Sequence, residues 1–246
     1  MEHDREGSLA KLDISHPCAA QAPESPEPAP LWLFCRLCDL AIVCGDVGLA
    51  KDVAIVACNK WKNAVAWVYA ARAFLLLHNF AEAETALAEA NIRNPDSPDI
   101  WGYLVLANLG QYVLGDASRI DQAAKCLDQA RNLFLNDGNI LTDVGVAFSK
   151  VDRLTLAADV LKTASELPYG AFTKHAKLAL ARVLAKQNRL VEACDEYATL
   201  LTTAKDDEAP VLEAELAPLL HVLGKDLKEA DLLDDAADAA EDAPFP

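Results

Sequence analysis

The sequence has few aromatic residues, few basic residues and no long uninterrupted apolar run. Aromatics make up 7% of its 246 residues, and alanine and leucine dominate the rest, which favours helices over sheets. Lysine and arginine number 22 against 38 acidic residues, a net charge of −16. This balance argues against nucleic acid or an anionic membrane as a partner, because both bind a basic face. The most apolar stretches, 31–44 and 64–77, contain charged residues, so neither predicts a membrane-inserted span.

The acidic residues are concentrated at the two ends of the chain. Residues 1–30 carry 6 acids and 2 bases, residues 206–246 carry 13 acids and 2 bases, and the middle is nearly neutral. Four prolines also fall within the eight residues that end at Pro30, which predicts an extended segment with little apolar area to bury. The sequence therefore predicts a disordered Pro-rich tether over 1–30, a folded region over 31–225, and an acidic C-terminal helix and tail over 226–246.

The cysteine count and the charged N-terminus indicate a reducing compartment. The chain has 7 cysteines, and it begins with charged residues where a secretory leader needs an apolar stretch. We therefore expect unpaired thiols and a cytoplasmic location. Cys35 and Cys38 form the one Cys-x-x-Cys pair, but a zinc site needs two further ligands at a suitable spacing. A packing role for Cys38 is favoured, and no metal or cofactor is predicted.

An internal repeat is visible around two tryptophans that lie 34 residues apart, Trp67 and Trp101. Small residues recur where two helices would cross closely, because a larger side chain would force the helices apart. A proline ends the pattern, followed by Ser97 and Pro98 as a helix start. The pattern runs Trp67-x2-Ala70-Ala71-x2-Phe74, then Phe80-x2-Ala83-x3-Leu87-x2-Ala90, then Pro95.

These residues resemble the tetratricopeptide repeat (TPR) family, whose unit of 34 residues is a helix–turn–helix. The resemblance implies an all-α fold, a right-handed superhelical solenoid of about five TPR-like repeats over 31–225. The turns inside the repeats are expected at 45–48, 78–80, 110–116, 151–153 and 187–189. The third of these carries about six extra residues, from Gly110 to Asp116, relative to the family pattern.

Two further segments, 81–91 and 99–104, are similar to repeats of cilia- and flagella-associated TPR proteins of the axoneme. The segments read AEAETALAEAN and DIWGYL. This resemblance implies a location in the cilium or flagellum and a place in an axonemal microtubule complex.

No arrangement of residues predicts catalysis. The histidines have no serine or cysteine partner in a recognisable nucleophile setting, and no glycine-rich loop follows a strand. An enzyme with an unrecognised site is the least favoured interpretation, and the chain is predicted not to be an enzyme.

A TPR solenoid binds partners in a groove lined by the first helix of each repeat, and helical spacing identifies the residues on that face. The groove-facing residues predicted in this way are Val65, Val68, Tyr69, Arg72, Asp99, Gly102, Tyr103, Leu106, Asn139, Thr142, Asp143, Val146, His175, Leu178 and Arg182. Six of them are the predicted partner-binding residues: Tyr69, Arg72, Tyr103, Leu106, Asp143 and Arg182. The two tyrosines are candidate anchors for a partner segment. Alternatively, they pack between adjacent first helices.

The predicted function is a non-enzymatic interaction scaffold that holds other protein subunits of a larger complex. The alternative is a soluble chaperone or transport adaptor that binds linear motifs in the groove. A chaperone-type clamp for an acidic tail is disfavoured, since Asp99 and Asp143 lie among the groove's donors and would repel such a tail.

Overall fold

The structure, a computed structural model, describes residues 30–167, 172–205 and 208–224. Within these residues the chain is helical and has no strand. Ten helices follow one another: α1 Leu31–Val43, α2 Val47–Trp61, α3 Ala64–Leu76, α4 Phe80–Arg93, α5 Pro98–Val113, α6 Arg119–Asn132, α7 Gly138–Lys150, α8 Leu154–Glu166, α9 Phe172–Lys186 and α10 Leu190–Leu201. A further helical segment covers residues 209–224. The predicted tether and the predicted acidic tail lie outside the described residues.

The helices form consecutive antiparallel pairs, as the repeat pattern predicts. Each odd-numbered helix packs on the even-numbered helix that follows it, and α1, α3, α5, α7 and α9 also contact one another in series. The first helices of successive repeats therefore lie side by side along one face of the stack. This is the helical solenoid expected from the sequence.

The turns inside the five repeats share one backbone geometry. Each contains a residue with a positive φ: Gly45, His78, Gly115, Asp152 and Asn188. In each, the next amide reaches back to a carbonyl five residues earlier; Asn79 N donates to Phe74 O at 2.9 Å, for example. This is the Schellman arrangement, which satisfies carbonyls left free at a helix C-terminus.

The turn between α5 and α6 differs from the prediction. Gly110 lies inside α5, which runs to Val113, and the connecting residues are 114–118. Gly110 is packed against Phe80, since a Cβ placed on Gly110 would lie 2.3 Å from the phenyl ring. The insertion therefore lengthens α5 as well as the turn, and the absence of a side chain at Gly110 leaves room for the Phe80 ring.

Several helices begin at residues whose side chains accept backbone hydrogen bonds. Asn63 caps α3, Asp46 caps α2, and Asp137 caps α7 by accepting from Asn139 N at 2.8 Å and Ile140 N at 3.1 Å. Such caps satisfy amides that have no partner in the first helical turn. Pro98 opens α5 as predicted, but the side chain of Ser97, the expected cap, makes no capping hydrogen bond.

Small residues fill the contacts between helices in the first half of the stack. Ala71, Ala83 and Ala90 are fully buried, as predicted, and Cys38 occupies the position of α1 that corresponds to Ala71. The Cys38 thiol donates to Ala50 O at 3.5 Å, and burial raises its pKa to about 11. The second half uses larger residues, such as Phe148 and Leu161. The stack is thus held by close helix crossings at one end and by bulkier apolar packing toward the other.

Ion pairs join successive repeats at a separation close to the repeat length. Arg72 pairs with Asp39, Arg119 with Glu84 and Arg182 with Glu215, at sequence separations of 33, 35 and 33 residues. Because equivalent positions in neighbouring repeats lie side by side, opposite charges one period apart meet across the interface.

Candidate protein-binding groove

A cavity of about 260 Å³ lies on the face formed by the first helices of three consecutive repeats. Helix α3 contributes Tyr69 and Arg72, helix α5 contributes Asp99 and Tyr103, and Asp137 lies at the start of α7. The complete lining is Ala64, Val65, Val68, Tyr69, Arg72, Asn94, Ser97, Asp99, Ile100, Tyr103, Asp137 and Ile140. We call this cavity and its lining the groove site.

Two predicted partner-binding residues of α3 are bound to the preceding repeat through one carboxylate. Tyr69 Oη donates to Asp39 Oδ2 at 3.1 Å, and Arg72 Nη1 donates to Asp39 Oδ1 at 3.1 Å. The guanidinium carbon also lies 5.1 Å from the centre of the Tyr69 ring. Burial, and then the charge of Asp39, raise the pKa of Tyr69 to about 12. The Arg72 charge is therefore compensated within the protein.

Tyr103 lies opposite this cluster and has a different environment. It is half-buried, and its hydroxyl makes no hydrogen bond to any described residue. Burial raises its pKa, while Arg72 acts in the opposite direction. A neutral phenol with an unpaired hydroxyl at a cavity wall can donate to or accept from an occupant.

Two carboxylates of this face have no ion pair or hydrogen bond among the described residues. Asp99 lines the groove site, and Asp143, on α7, lies close enough to be influenced by both Arg72 and Asp137. The pKa of Asp99 is raised by burial and then by Asp137, and that of Asp143 by burial, with Arg72 lowering it. Asp143 is exposed to solvent, yet the surrounding protein reduces the hydration of its carboxylate. Both carboxylates would be stabilised by a cation from outside the chain.

A second cavity, of about 360 Å³, continues the groove toward α1. Its lining is Leu31, Trp32, Cys35, Arg36, Asp39, Val65 and Tyr69. Val65 and Tyr69 border both cavities, so the groove runs past α1, α3 and α5 without a break at Tyr69.

The other predicted partner-binding residues do not line the groove site. Leu106 is half-buried and packs against the central core. Arg182 pairs with Glu215 of the segment 209–224, with Nε at 2.9 Å from Oε2, and Tyr197 Oη donates to the same oxygen at 2.7 Å. Leu178 packs beside Leu212, Leu216 and Leu219. This end of the groove face is therefore occupied by the protein's own C-terminal helical segment.

Two of the wider set of predicted groove residues are wrong. Gly102 is buried against α7, where an added Cβ would lie 2.5 Å from Ile140 Cγ2, and Thr142 is buried with its hydroxyl bonded to Gly138 O. Gly102 precedes Tyr103 and Thr142 precedes Asp143 by one position, and where α5 packs on α7 these two residues lie on the inner side of their helices.

Sequence reasoning missed three residues that shape this face, namely Asp39, Asp137 and Glu215. Asp39 precedes Arg72 by 33 residues and Glu215 follows Arg182 by 33 residues. The repeat period itself could have identified both partners. Asp137 is identifiable as a helix cap, but its place at the groove depends on how α7 packs on α5.

The described residues offer no metal centre and no membrane span. No group of three or more His, Cys, Asp or Glu side chains in 30–167, 172–205 and 208–224 is arranged to hold a metal ion. No helix in the same ranges is long and apolar enough to cross a bilayer.

Solved structures similar to this chain are TPR proteins and related helical-repeat proteins. A thermophilic TPR protein of Thermus thermophilus, TTC0263, matches with a TM-score of 0.62 and 22% identity over 78% of this chain and 99% of that protein. PilW, a type IV pilus biogenesis factor, has a TM-score of 0.57 and 18% identity over 78% of this chain and 86% of its own. Yeast Tom70 has a TM-score of 0.55 and 19% identity over 80% of this chain, which spans 43% of Tom70. At these identities the likeness establishes the fold.

A comparison with curated proteins finds no match. The family model described as the cilia and flagella-associated protein 70 C-terminal domain matches residues 16–216, most of the chain. The match covers all ten helices and the first part of the segment 209–224. The chain therefore belongs to the TPR-containing family of the cilia and flagella-associated protein 70 C-terminal domain.

Proposed function

We propose that this protein is a non-enzymatic scaffold that binds a segment of another protein subunit in the groove site, within a microtubule complex of the cilium. The observation that carries the proposal is the groove site itself. It brings Tyr69, Arg72 and Tyr103 from two successive repeats to one cavity, together with Asp99, which forms no ion pair with a described residue. The ciliary assignment is supported by the family to which the chain belongs.

The two tyrosines supply the apolar contact area. Each ring is half-buried, and Val65 and Val68 extend the apolar wall beside them. Aromatic side chains that are already ordered lose little entropy on binding and dominate the affinity of many interfaces. The bond from Tyr69 to Asp39 holds its ring in place before a partner arrives.

The charges of the groove favour a partner segment that carries lysine or arginine. Asp39 pairs with Arg72, whereas neither Asp99 nor Asp143 forms an ion pair among the described residues, although Arg72 and Lys150 lie near enough to lower the pKa of Asp143. A cation beside either carboxylate would stabilise its ionised form, and an acidic segment would be repelled. The partner segment is therefore apolar with at least one basic residue.

The test is affinity purification of the tagged full chain from ciliated cells, followed by titration of the recovered segment. Tyr69→Ala with Tyr103→Ala should weaken binding by about 2 kcal/mol or more, which is roughly 30-fold. Tyr112→Ala is the matched control, because Tyr112 lies on the same helix as Tyr103 but does not line the groove site. Asp143→Asn should also weaken binding of a basic segment, and this loss should shrink at high salt.

Two results would contradict the proposal. Binding that survives the double tyrosine change in a folded variant, but is lost when residues 114–118 are shortened, would place the interface on the outer edge of the stack. The protein could also be recovered only with soluble partners that exchange freely, and never with the ciliary fraction that resists salt extraction. That result would favour the chaperone or transport adaptor.

A further inference from the structure

The first repeat exposes an apolar stripe at the N-terminal end of the stack. Leu33, Leu37 and Leu40 lie on one face of α1 at spacings of four and three residues. Leu37 is 43% exposed and Leu40 is 60% exposed. Leu33 is partly exposed, and we call these three leucines the end stripe.

The repeat register shows what this face does elsewhere in the protein. A shift of 33 residues superimposes α1 on α3 and the start of α2 on the start of α4. Under this shift Leu33, Leu37 and Leu40 correspond to Ala66, Ala70 and Ala73 of α3, which are 0%, 1% and 1% exposed. Ala73 packs with Ala50, a residue of the preceding second helix. The equivalent face of α3 is thus the surface that receives the second helix of the repeat before it.

The end stripe is therefore built to receive a helix and is not a polar cap. A solenoid that ends at its first repeat requires a polar outer face there, because each repeat buries its apolar surface only against a neighbour. Here the three equivalent positions carry leucine instead of alanine, so they present more apolar surface than an internal repeat does. Larger residues on the receiving side require smaller ones on the incoming helix if the two axes are to approach closely.

The chain directly before α1 is not suited to supply that helix. Elsewhere the second helix ends only a few residues before the next first helix; α2 ends at Trp61 and α3 begins at Ala64. Before α1 the corresponding positions hold four prolines between Pro23 and Pro30. Proline within a helix removes a backbone donor and clashes with the preceding turn.

Two basic side chains of the first repeat, one on α1 and one near Phe34 of α1, define the incoming helix further. Arg36 is exposed and forms no ion pair with a described residue. Lys60 lies 4.5 Å from the centre of the Trp61 ring and 5.7 Å from that of Phe34, and it also has no carboxylate partner in the part of the chain described. Two uncompensated cations would repel each other in a symmetric pairing of two copies, but they would attract acidic side chains.

We infer that the end stripe binds an amphipathic helix of a partner protein, with small residues on its apolar face and acidic residues beside that face. The site lies on the first repeat of the described residues and shares no residue with the groove site. It would join this protein end-on to a neighbouring helical protein and so extend the stack.

The sequence of α4 provides a suitable probe. In this structure α4 packs against α5 as the preceding second helix, its buried face is rich in alanine, and it carries Glu82, Glu84 and Glu89. A peptide of the sequence 80–93, with a hydrocarbon staple in place of the exposed residues Ala81 and Thr85, avoids the marginal stability of a short isolated helix. The matched control peptide replaces the three glutamates with lysine.

We expect the stapled peptide to shift the methyl NMR signals of the end-stripe leucines of the full chain. Leu37→Asp with Leu40→Asp should weaken binding about tenfold or more, because a charge in an apolar contact is costly. Val191→Asp, an exposed apolar position on α10, should leave binding unchanged. The lysine peptide should bind more weakly than the glutamate peptide. If the aspartate variant unfolds, Leu37→Gln with Leu40→Gln makes the same comparison, because uncharged polar side chains also oppose apolar contact.

Several outcomes would overturn the inference. The first is the absence of any NMR shift with peptide at about 1 mM, a concentration that would detect even weak binding. The second is equal binding of the peptide by the wild-type chain and by the double variant. Dimerisation of the wild-type chain in sedimentation, lost in the double variant, would assign the stripe to a second copy. A large gain in peptide affinity on deletion of residues 1–29 would show that the chain's own N-terminal segment competes for the site.

Discussion

Replacing Gly145 with alanine should destabilise the protein, although the same change usually stabilises a helix. Gly145 lies within α7 and faces α8, where a Cβ would stand 2.4 Å from Leu161 Cγ and 2.7 Å from Leu161 Cδ2. Leu161 is fully buried. The leucine therefore has no free space into which it can turn, and α7 and α8 must separate.

The expected magnitude follows from two opposing contributions. Alanine in a helix interior is favoured over glycine by about 1 kcal/mol. Overpacking a well-packed site costs about 1–3 kcal/mol, and contact with three atoms of a rigid side chain places this site in the upper part of that range. We expect the free energy of unfolding to fall by about 1–2 kcal/mol.

Urea unfolding of the full chain, followed by circular dichroism, measures this change. Gly48→Ala is the matched control, because Gly48 lies in the first turn of α2 and a Cβ there would be 3.6 Å from its nearest neighbour, Asp46 Oδ1. This control should be neutral or stabilising by up to about 1 kcal/mol. An unchanged or higher stability of Gly145→Ala would refute the close-packing argument.

A double-mutant cycle separates overpacking from other effects. Leu161→Ala alone should cost about 2–5 kcal/mol through the cavity that it creates. In that background Gly145→Ala should cost nothing or recover about 1 kcal/mol, since the clashing atoms are gone. Additive losses from the two changes would mean that Gly145 and Leu161 do not interact as the structure shows.

Two further predictions concern packing and pH. Ala83→Leu should lower the free energy of unfolding by about 1–3 kcal/mol, because Ala83 is fully buried at a close helix crossing. A urea midpoint equal to that of the wild-type chain would contradict this prediction. Asp143→Asn should be more stable than wild type at pH 7 but not at pH 4. Because the pKa of Asp143 is raised, the folded state binds the proton of this carboxyl more tightly than the unfolded state does. The stability of the wild-type chain therefore falls as the pH rises from the ordinary pKa of 3.8 through the raised pKa. A stability difference that does not vary between these pH values would show that Asp143 is fully hydrated.

The helices and their pairing could be read from the sequence because both depend on local spacing. The recurrence of Trp67 at Trp101, the small residues Ala83 and Ala90, and Pro98 after Ser97 predict where helices start and where two helices cross closely. Five repeated turns follow from the same pattern. The face of α3 that carries Tyr69 and Arg72 was also predictable, since a period of 3.6 residues fixes which side chains share a side of one helix.

The tertiary structure decided which side chains remain available on that face. Spacing within α9 places Arg182 on the groove side, but Glu215 neutralises it from a helical segment 33 residues further on. Spacing within α5 predicts that Gly102 and Tyr103 both face the groove. The packing of α7 buries Gly102, however, and leaves Tyr103 at a cavity wall. The exposed leucines of α1 look like core residues in the sequence, and only the absence of a covering helix among the described residues shows them to be a surface. The helical period determines the direction in which each side chain points from its own helix. The contacts and the exposure of that side chain depend on the neighbouring helices.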